Sequence, residues 1–499
     1  MRGGDVRIVW LAALVIACAA CSGGGLRVVS RSPAPGATNV WVRDPVTATF
    51  SAPLAPSTVD DAAVRIETSA GAELAKSVDL SADGRTVTLR LLEQPPVPTE
   101  LRAEFASSIT GVDGAPLASA VSWSWELPTW QRLGETATPV WYGALLHDLV
   151  ASIEGPAFPF TTWDGQLGVR RWDGAQWVDL GGSPQRHPDS RVWRHGLTTD
   201  AAGAPIVVWS EVLGPGQAPI FASRWDGAAW VPLGERLNAD VPYRFIVAHG
   251  AGGPVVAWWA CDPTCHQHVM AWDGAAWVQL GDARPSDPTR SGLALDAAGR
   301  PHVLVEEDDD GAKLYVERWD GVAWQRLGEA FNSTVDADPH DCAIAIGQDG
   351  NPIVLWDERL LGVDMQWATR AKRWDGATWV ELGGSLAIDA GSFSGLPALA
   401  IDEAGHAIAA WYEEPSSGDP GLYARRWDGA AWESLGPRVN DGWVAGAEPP
   451  AIAGFDDGQL LIAWTLARGV PQPEYTVVVS RFNELAPDTY VEPEMGGPN

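Results

Sequence analysis

The sequence predicts an all-β fold in which a small β-sandwich precedes a long array of four-stranded repeats. The 499 residues include 28 Trp, 54 Gly and 38 Pro, a composition that favours many short strands joined by turns. The string Trp-Asp-Gly-x-x-Trp recurs six times between Trp172 and Trp432, at intervals of about 50 residues. Gly and Pro interrupt the chain every few residues and no apolar period of 3.6 residues survives, which excludes a helical array.

The N-terminus has the pattern of an export signal. A basic start containing Arg2 and Arg7 precedes an apolar run from Ile8 to Ala17, and small residues follow. A charged segment, a short apolar run and small residues are typical of a secretory signal, and the run is too short to span a membrane.

Two cysteines end this run, Cys18 and Cys21, and a Ser-Gly-Gly-Gly stretch follows. The segment resembles a bacterial lipoprotein signal, in which the cysteine after the cleavage site is lipidated. The resemblance implies a signal peptide at 1–21, lipidation at Cys18 or Cys21, and a tether at 22–27. The protein would then be lipid-anchored to the outer membrane or cell surface. The alternative is an ordinary signal peptide with incidental cysteines.

The first folded segment, 28–127, alternates polar and apolar residues between turn signals. Strand-like runs with β-branched or aromatic residues are Val46–Phe50, Thr86–Leu89 and Val121–Trp125. Tight turns are expected at Asp83-Gly84 and Asp113-Gly114. With Ser32-Pro-Ala-Pro-Gly and Ser81-Ala-Asp-Gly, this segment resembles the bacterial Ig-like domains of S-layer and other surface proteins. Such a domain is expected to act as a spacer.

Each repeat contains four short strands. The first ends near an Asp-x-x-Gly turn, the second is an apolar run ending in Trp, and the third ends in Arg-Trp-Asp. The fourth is Trp-x-x-Leu-Gly, as in Trp230–Gly234. Between the third and fourth lies Asp-Gly, a hairpin signal in which both turn residues are expected to have positive φ. Four strands in about 50 residues, repeated radially, predict the blade of a β-propeller.

The ends of the array predict the number of blades. Trp-x-x-Leu-Gly occurs seven times, because Trp130–Gly134 stands before the first full repeat. The last repeat ends at Phe482 without such a strand. We therefore predict a seven-bladed propeller at 128–484, closed by the strand 130–134, with a tail at 485–499. Closure removes two exposed sheet edges.

The repeats resemble those of kelch-type and Asp-box propellers, which include bacterial seven-bladed lectins. The Asp box is Asp-x-Gly-x-x-Trp, whereas the string here is Asp-Gly-x-x-Trp, one residue shorter. The resemblance is architectural. We expect the tryptophans shared by the repeats to pack between blades, since each blade must bury its faces before it can bind anything. The alternative is a ring of platforms for stacking sugars.

Binding residues are expected where the repeats differ, on the face that carries the more variable connections. Four carboxylates lie just past the second strands: Glu211, Glu307, Glu358 and Glu413. They are expected to be solvated, with a calcium site as the alternative. Three tryptophans lie outside the repeat pattern and are candidate sugar platforms: Trp193, Trp367 and Trp443.

The remaining cysteines are Cys261, Cys265 and Cys342. In an exported protein, Cys261 and Cys265 are expected to form a disulfide rather than a zinc site with the nearby His266 and His268. Cys342 is expected to be a buried thiol.

The charge and the absence of catalytic motifs narrow the function. A net charge of −30 repels phosphate backbones, so nucleic acid is not expected as a partner. No nucleophile elbow, phosphate loop or His-Glu-x-x-His string occurs, and we do not expect an enzyme. The expected function is a monomeric, membrane-anchored binding or scaffold protein with an unknown protein or glycan ligand. The alternatives are a carbohydrate-binding lectin and a sialidase-type glycoside hydrolase.

Overall fold

The computed structural model divides into two compact units, the first ending at Glu126 and the second beginning at Leu127. The structure describes residues 25–134, 148–162, 164–238, 241–250, 252–261, 263–286, 288, 290–308, 312–332, 337–360, 367–389, 392–416, 420–440, 449–454, 458–468 and 474–485. The signal peptide with Cys18 and Cys21, Trp443 and residues 486–499 of the tail lie outside this part. The predicted all-β class is confirmed, since a single turn of 3-10 helix, Pro56–Thr58, is the only helix among the described residues.

The first unit consists of two antiparallel sheets. Its strands are β1 (Val28–Ser32), β2 (Val46–Phe50), β3 (Val64–Thr68), β4 (Lys76–Leu80), β5 (Thr86–Leu91), β6 (Thr99–Phe105) and β7 (Val121–Leu127). One sheet has the order β1-β2-β5-β4 and the other the order β3-β6-β7. The three predicted strands correspond to β2, β5 and β7.

Alternating burial along these strands forms the core of the first unit. In β2 every second side chain, including Phe50, is buried. Phe105 stacks on Trp123 with ring centroids 5.7 Å apart. The indole nitrogen of Trp123 donates to the carbonyl of Pro33 at 2.9 Å, so the polar atom of this buried ring is satisfied.

The second unit contains the repeats. Its strands are β8 (Trp130–Arg132), β9 (Val150–Ser152), β10 (Gly155–Thr161), β11 (Leu167–Trp172), β12 (Trp177–Asp179), β13 (Arg191–Thr199), β14 (Pro205–Val212), β15 (Ile220–Trp225), β16 (Trp230–Pro232), β17 (Pro242–Gly250), β18 (Gly253–Cys261), β19 (Cys265–Trp272), β20 (Trp277–Gln279), β21 (Arg284–Pro285), β22 (Leu293–Leu295), β23 (Pro301–Asp308), β24 (Ala312–Trp319), β25 (Trp324–Arg326), β26 (Ala337–Ile346), β27 (Pro352–Leu360), β28 (Trp367–Trp374), β29 (Trp379–Glu381), β30 (Phe393–Ile401), β31 (Ala407–Glu414), β32 (Gly421–Trp427), β33 (Trp432–Ser434), β34 (Ala451–Gly454), β35 (Leu460–Arg468) and β36 (Glu474–Phe482).

Within the described residues these strands form seven antiparallel sheets that resemble propeller blades. The first six sheets each take four successive strands, from β9–β12 to β30–β33, and β21 also pairs with β19 in the third. The seventh sheet has the order β34-β35-β36-β8, so its outermost strand comes from the start of the unit. There Trp130 lies opposite Phe482, and Arg132 lies opposite Ser480.

The hairpin between the third and fourth strands is built around an aspartate side chain. In the first sheet Trp172 pairs with Trp177, and Asp173 Oδ1 accepts the N–H groups of Ala175 and Gln176 at 2.9 and 2.8 Å. Gly174 has a φ of +99°. The expectation of positive φ at both Asp and Gly is wrong, because the aspartate caps a four-residue turn and only the glycine adopts that conformation.

Tryptophans at the start of the fourth strands link neighbouring sheets. The indole nitrogen of each donates to the leucine carbonyl of Trp-x-x-Leu-Gly in the preceding sheet. The pairs are Trp177–Leu133 (2.8 Å), Trp230–Leu180 (3.0 Å), Trp277–Leu233 (2.9 Å), Trp324–Leu280 (2.8 Å), Trp379–Leu327 (3.0 Å), Trp432–Leu382 (2.7 Å) and Trp130–Leu435 (3.0 Å). Gly181, which follows Leu180, makes room for the tryptophan that ends the third strand of the next sheet, since a Cβ on Gly181 would lie 2.5 Å from the Trp225 ring. These tryptophans therefore hold adjacent sheets together, as predicted.

The first strands of successive sheets are also neighbours. Strand β9 contacts β13, and the series continues through β17, β22, β26 and β30 to β34. Strand β34 in turn contacts β9. Each of these seven first strands thus contacts the first strands of two other sheets.

Candidate functional site

Three of the four predicted binding carboxylates are buried. The side chains of Glu211, Glu358 and Glu413 have at most 1% of their surface exposed. Each accepts a hydrogen bond from the tryptophan two residues earlier: Trp209–Glu211 (2.7 Å), Trp356–Glu358 (2.9 Å) and Trp411–Glu413 (2.7 Å). The prediction that these three carboxylates are solvated and belong to a binding face is wrong, because they are enclosed and bonded inside the protein.

Two of these carboxylates, Glu211 and Glu413, anchor connections between sheets. Glu413 also accepts the N–H groups of Ile388 and Asp389 at 2.8 and 3.1 Å, and the hydroxyl of Ser392 at 2.7 Å. Glu211 receives the N–H groups of residues 186 and 187 in the same way. A buried carboxylate bonded by several donors is a structural element that fixes the loop above it.

Glu307 differs from the other three because Val305 takes the place of the tryptophan in its sheet. Its side chain is 38% exposed and pairs with Arg326, whose hydrogen bond lowers the pKa of Glu307. Arg326 also contacts Glu317 at 3.3 Å. In the part of the chain that the structure describes, no group of three His, Cys, Asp or Glu could hold a metal ion.

The cysteines of the second unit have separate surroundings. Cys261 and Cys265 lie opposite each other at the end of the β18–β19 hairpin and form a disulfide. His268 stacks on Trp258, with ring centroids 5.0 Å apart. Cys342 is a free thiol, and burial raises its pKa well above the usual value.

The candidate sugar platforms also differ in their surroundings. Trp193 is 48% exposed and lines a hollow of about 300 Å³ together with Asp189 and Arg191. Trp367 is packed between His340 and Phe393, with ring centroids 4.7 and 4.9 Å away. Trp193 is therefore the more open of these two rings.

A cavity of about 240 Å³ lies where segments of the seven sheets meet. One segment comes from each sheet: Asp148–Leu149, Arg194–His195, Arg244–Ile246, Ser291–Leu293, Cys342–Ile344, Pro397–Leu399 and Pro449–Ile452. We call this space the central cavity. Its walls come from the first strands and the residues just before them, not from the long connections where binding was predicted.

Two buried polar groups in the central cavity have no partner. His195 is 4% exposed, and neither ring nitrogen is hydrogen-bonded to any described residue. The Ser291 hydroxyl is likewise buried and unbonded within the described residues. Burial lowers the pKa of His195 to about 4, so the ring is neutral at pH 7 and offers one donor and one acceptor. Buried polar groups in native proteins normally have partners, so these atoms point to a bound molecule or to water.

Charged groups complete the polar part of the central cavity. Arg194 and Arg244 contribute guanidinium groups from the neighbouring strands β13 and β17. Asp148 accepts the N–H of Leu197 at 2.9 Å. Burial raises the pKa of Asp148 to about 7, although the charge of Arg244 acts in the opposite direction.

The two arginines follow β-bulges at equivalent places in their strands. The pairing register shifts between Val192 and Arg194 in β13, and between residues 242 and 244 in β17. The bulged residues Trp193 and Tyr243 are exposed, whereas the arginines after them line the cavity. The sequence analysis missed these arginines; the aromatic-Arg pair at the same place in two successive repeats is the signal that could have found them.

Among the described residues, no helix has the length and apolar character needed to cross a membrane.

Several solved structures are similar to this chain. A polysaccharide lyase, the PL25 ulvanlyase, is 11% identical with a TM-score of 0.48, covering 71% of this chain and 97% of its own. The lectin of Aleuria aurantia in complex with α-methyl-L-fucoside is 16% identical with a TM-score of 0.38, covering 62% and 99%. TolB from Acinetobacter baumannii is 10% identical with a TM-score of 0.36, covering 68% and 79%.

At these identities and scores the three structures carry no inference about ligand or activity. No curated protein sequence matches the chain. A family model does match at the N-terminus: residues 24–126 correspond to the bacterial Ig-like domain, in agreement with the resemblance in the sequence.

Proposed function

We propose that the second unit is a closed seven-bladed β-propeller, spanning 128–484, that binds a small molecule in the central cavity. Three observations support closure. Strand β8 completes the sheet of β36, Trp130 repeats the Trp–Leu hydrogen bond with Leu435, and β34 contacts β9. The aspartate-capped hairpin turns support an architectural relationship to Asp-box propellers.

The observation that carries the binding function is His195. Its ring is buried in a cavity to which every sheet contributes, yet neither nitrogen has a partner among the described residues. Leaving such a group unbonded costs about 1–3 kcal/mol, and a ligand that bonds the ring removes this penalty on binding. The disulfide and the buried glutamates, by contrast, complete their bonds within the fold.

The protein is proposed to act on the outside of the membrane. Cys18 or Cys21 would carry the lipid, residues 22–27 would form the tether, and the Ig-like domain would act as a spacer for the binding module. The support is the sequence of the export signal, which precedes a Gly-rich stretch and a surface-type domain. No nucleic acid partner and no catalytic turnover are proposed.

A ligand screen on the mature protein tests this proposal. Small polar and amphipathic molecules would be screened by ligand-observed NMR, and each hit repeated with His195→Phe. The substitution should be tolerated, because Phe245 occupies the equivalent position in β17, each opposite the tryptophan of the second strand. His266→Phe, at the β18–β19 hairpin outside the cavity, is the matched control. Hits that are insensitive to His195→Phe would contradict the proposed site.

Carbohydrate binding on the outer surface is a second candidate function, favoured by Trp193. Its exposed ring lines a hollow with Asp189 and Arg191, which combines a stacking surface with polar groups. A glycan array with the mature protein and with Trp193→Ala tests it. Binding lost in the variant supports a lectin, and turnover of a bound glycan would favour the hydrolase alternative.

A further inference from the structure

The wall of the central cavity is divided by polarity. On one side the second and third sheets contribute two arginines, Arg194 and Arg244, next to the apolar Phe245 and Ile246. On the other side the sixth and seventh sheets and part of the first contribute apolar side chains, namely Leu149, Pro397, Leu399, Pro450 and Ile452. A molecule that fills this space meets cations at one end and hydrocarbon at the other.

We propose that the central cavity binds a small carboxylic acid with an apolar body, its carboxylate held by Arg194 and Arg244. This inference rests on the proposed function, because it names the ligand class of the same site. A carboxylate suits the cationic side, since a guanidinium can donate two parallel hydrogen bonds to its two oxygens. An apolar body suits the opposite side, because it gains from leaving water.

The groups beside the arginines support the same assignment. His195, neutral at pH 7, and the hydroxyl of Ser291 can each donate one hydrogen bond to an oxygen without adding charge. Asp148 is the carboxyl group in the cavity wall, and its raised pKa of about 7 leaves it largely uncharged in mildly acidic solution. Asp341, next to the cavity residue Cys342, also interacts with the charge of Arg244, and burial likewise raises the pKa of its carboxyl group. A ligand carboxylate would therefore meet two arginines beside carboxyl groups whose burial favours their neutral form.

The size of the cavity limits the ligand. Its volume of about 240 Å³ lies just below the usual range for ligand pockets, about 300–1,000 Å³. The cavity therefore suits a small molecule, such as a short fatty acid or a simple aromatic acid, better than an oligosaccharide.

The acidic surface does not oppose this assignment. The net charge of −30 creates a repulsive field for anions, but at physiological salt this field is screened over about 8 Å. Inside the cavity, where water is partly excluded, the two nearby guanidinium groups act more strongly on a bound carboxylate than distant surface charges do.

The test uses three probes that separate charge from apolar character. Hexanoate has both, hexanamide has the apolar chain without the charge, and threonate has the carboxylate on a hydroxylated chain of similar size. Titration calorimetry of the mature protein should detect hexanoate binding, with at least about tenfold weaker binding of the other two. Arg194→Met and Arg244→Met, which keep the apolar part of the side chain, should each weaken hexanoate binding by about 10- to 100-fold.

Arg170→Met is the matched control, because it removes one positive charge at an ion pair with Asp179 outside the cavity. It should leave the affinity for hexanoate unchanged. Circular dichroism of each variant checks that the β fold is retained.

The outcomes separate this inference from the proposed function. If hexanamide binds as tightly as hexanoate and both are lost in His195→Phe, the cavity is a ligand site but the carboxylate assignment is wrong. If threonate binds and hexanoate does not, the assignment of an apolar body to the ligand is wrong. If the wild-type protein binds none of the three probes, the ligand class is wrong, and the wider screen with His195→Phe then decides the proposed function.

Discussion

Replacing Trp130 with alanine should weaken the second unit at the junction between its two ends. The ring is buried, packs against Phe482 with centroids 5.1 Å apart, and donates to the carbonyl of Leu435 at 3.0 Å. Truncating a buried tryptophan costs about 3–5 kcal/mol, and a buried carbonyl left without its donor adds about 1 kcal/mol or more. Since a domain is stable by about 5–15 kcal/mol, the expected loss is a large share of the total.

A graded set of variants separates packing from hydrogen bonding. Trp130→Phe keeps an aromatic ring but removes the N–H donor together with part of the indole, so it should cost about 1–3 kcal/mol. Trp230→Ala removes the equivalent ring from the second sheet, whose four strands are contiguous in the chain. Trp193→Ala, at an exposed ring, should change the stability by no more than about 0.5 kcal/mol.

The assay is urea denaturation combined with native-state hydrogen exchange. In Trp130→Ala the amides of β8 and β36 should exchange faster than those of the other sheets, because this pair joins the two ends of the unit. In Trp230→Ala the faster exchange should be confined to the first and second sheets. If Trp130→Ala costs less than about 1 kcal/mol, or leaves exchange in β36 unchanged, the closure argument is refuted.

Three further predictions concern other sites. Glu413→Gln should lower the free energy of unfolding by about 2–4 kcal/mol, measured by urea denaturation, because it disturbs a buried carboxylate bonded by four donor groups. Asp148, whose pKa is raised to about 7, stabilises the fold below about pH 4, and this stabilisation is lost as the pH rises through 7. His195, whose pKa is lowered to about 4, stabilises the fold above about pH 6.5, and this stabilisation is lost as the pH falls through 4. As the pH rises from 4 to 7, Asp148→Asn should therefore become more stable relative to the wild-type protein, whereas His195→Phe should become less stable relative to it. Thermal denaturation at several pH values would measure both differences. Mass spectrometry of the mature N-terminus should find a lipid on Cys18 or Cys21.

Each of these predictions has an outcome that contradicts it. Glu414→Gln is the control for Glu413→Gln, since Glu414 lies outside the buried network and accepts the Tyr412 hydroxyl at 2.9 Å. If the two substitutions lower the free energy of unfolding equally, the buried carboxylate of Glu413 has no special structural role. Parallel pH profiles for the two cavity variants would contradict the burial argument. A mature protein that is freely soluble and has an unmodified N-terminus would exclude the lipid anchor.

The parts of the fold that the sequence predicted are those governed by local rules. Strands such as Val46–Phe50 follow from alternation, and the hairpin before Trp177 follows from Asp173 and Gly174, whose side-chain cap and positive φ need only neighbouring atoms. The packing of Trp177 on the preceding sheet was also predictable, because a residue needed in every repeat meets the same environment in every repeat.

The carboxylates were misjudged because their environment is not local. Glu413 lies two residues after a strand tryptophan, a position that reads as a solvated strand end. Three of its four donors come from Ile388, Asp389 and Ser392, which precede it by more than twenty residues and lie over it only in the folded chain. Glu307 has the same position in its repeat, but Val305 stands there in place of the tryptophan, so no indole donor is present and the side chain remains partly exposed.

The same reasoning explains why the central cavity was not predicted and why it should take a single ligand. Residues shared by all repeats build the frame, so they make the sheets alike and cannot by themselves distinguish one side of the cavity from another. The cavity wall is instead formed where the repeats differ: arginine in β13 and β17, serine just before β22, and proline in β30 and just before β34. A symmetric wall would offer equivalent subsites around the ring. In the proposed ligand site an uneven wall, with two arginines on one side and mainly apolar side chains on the other, would fix the orientation of one bound molecule.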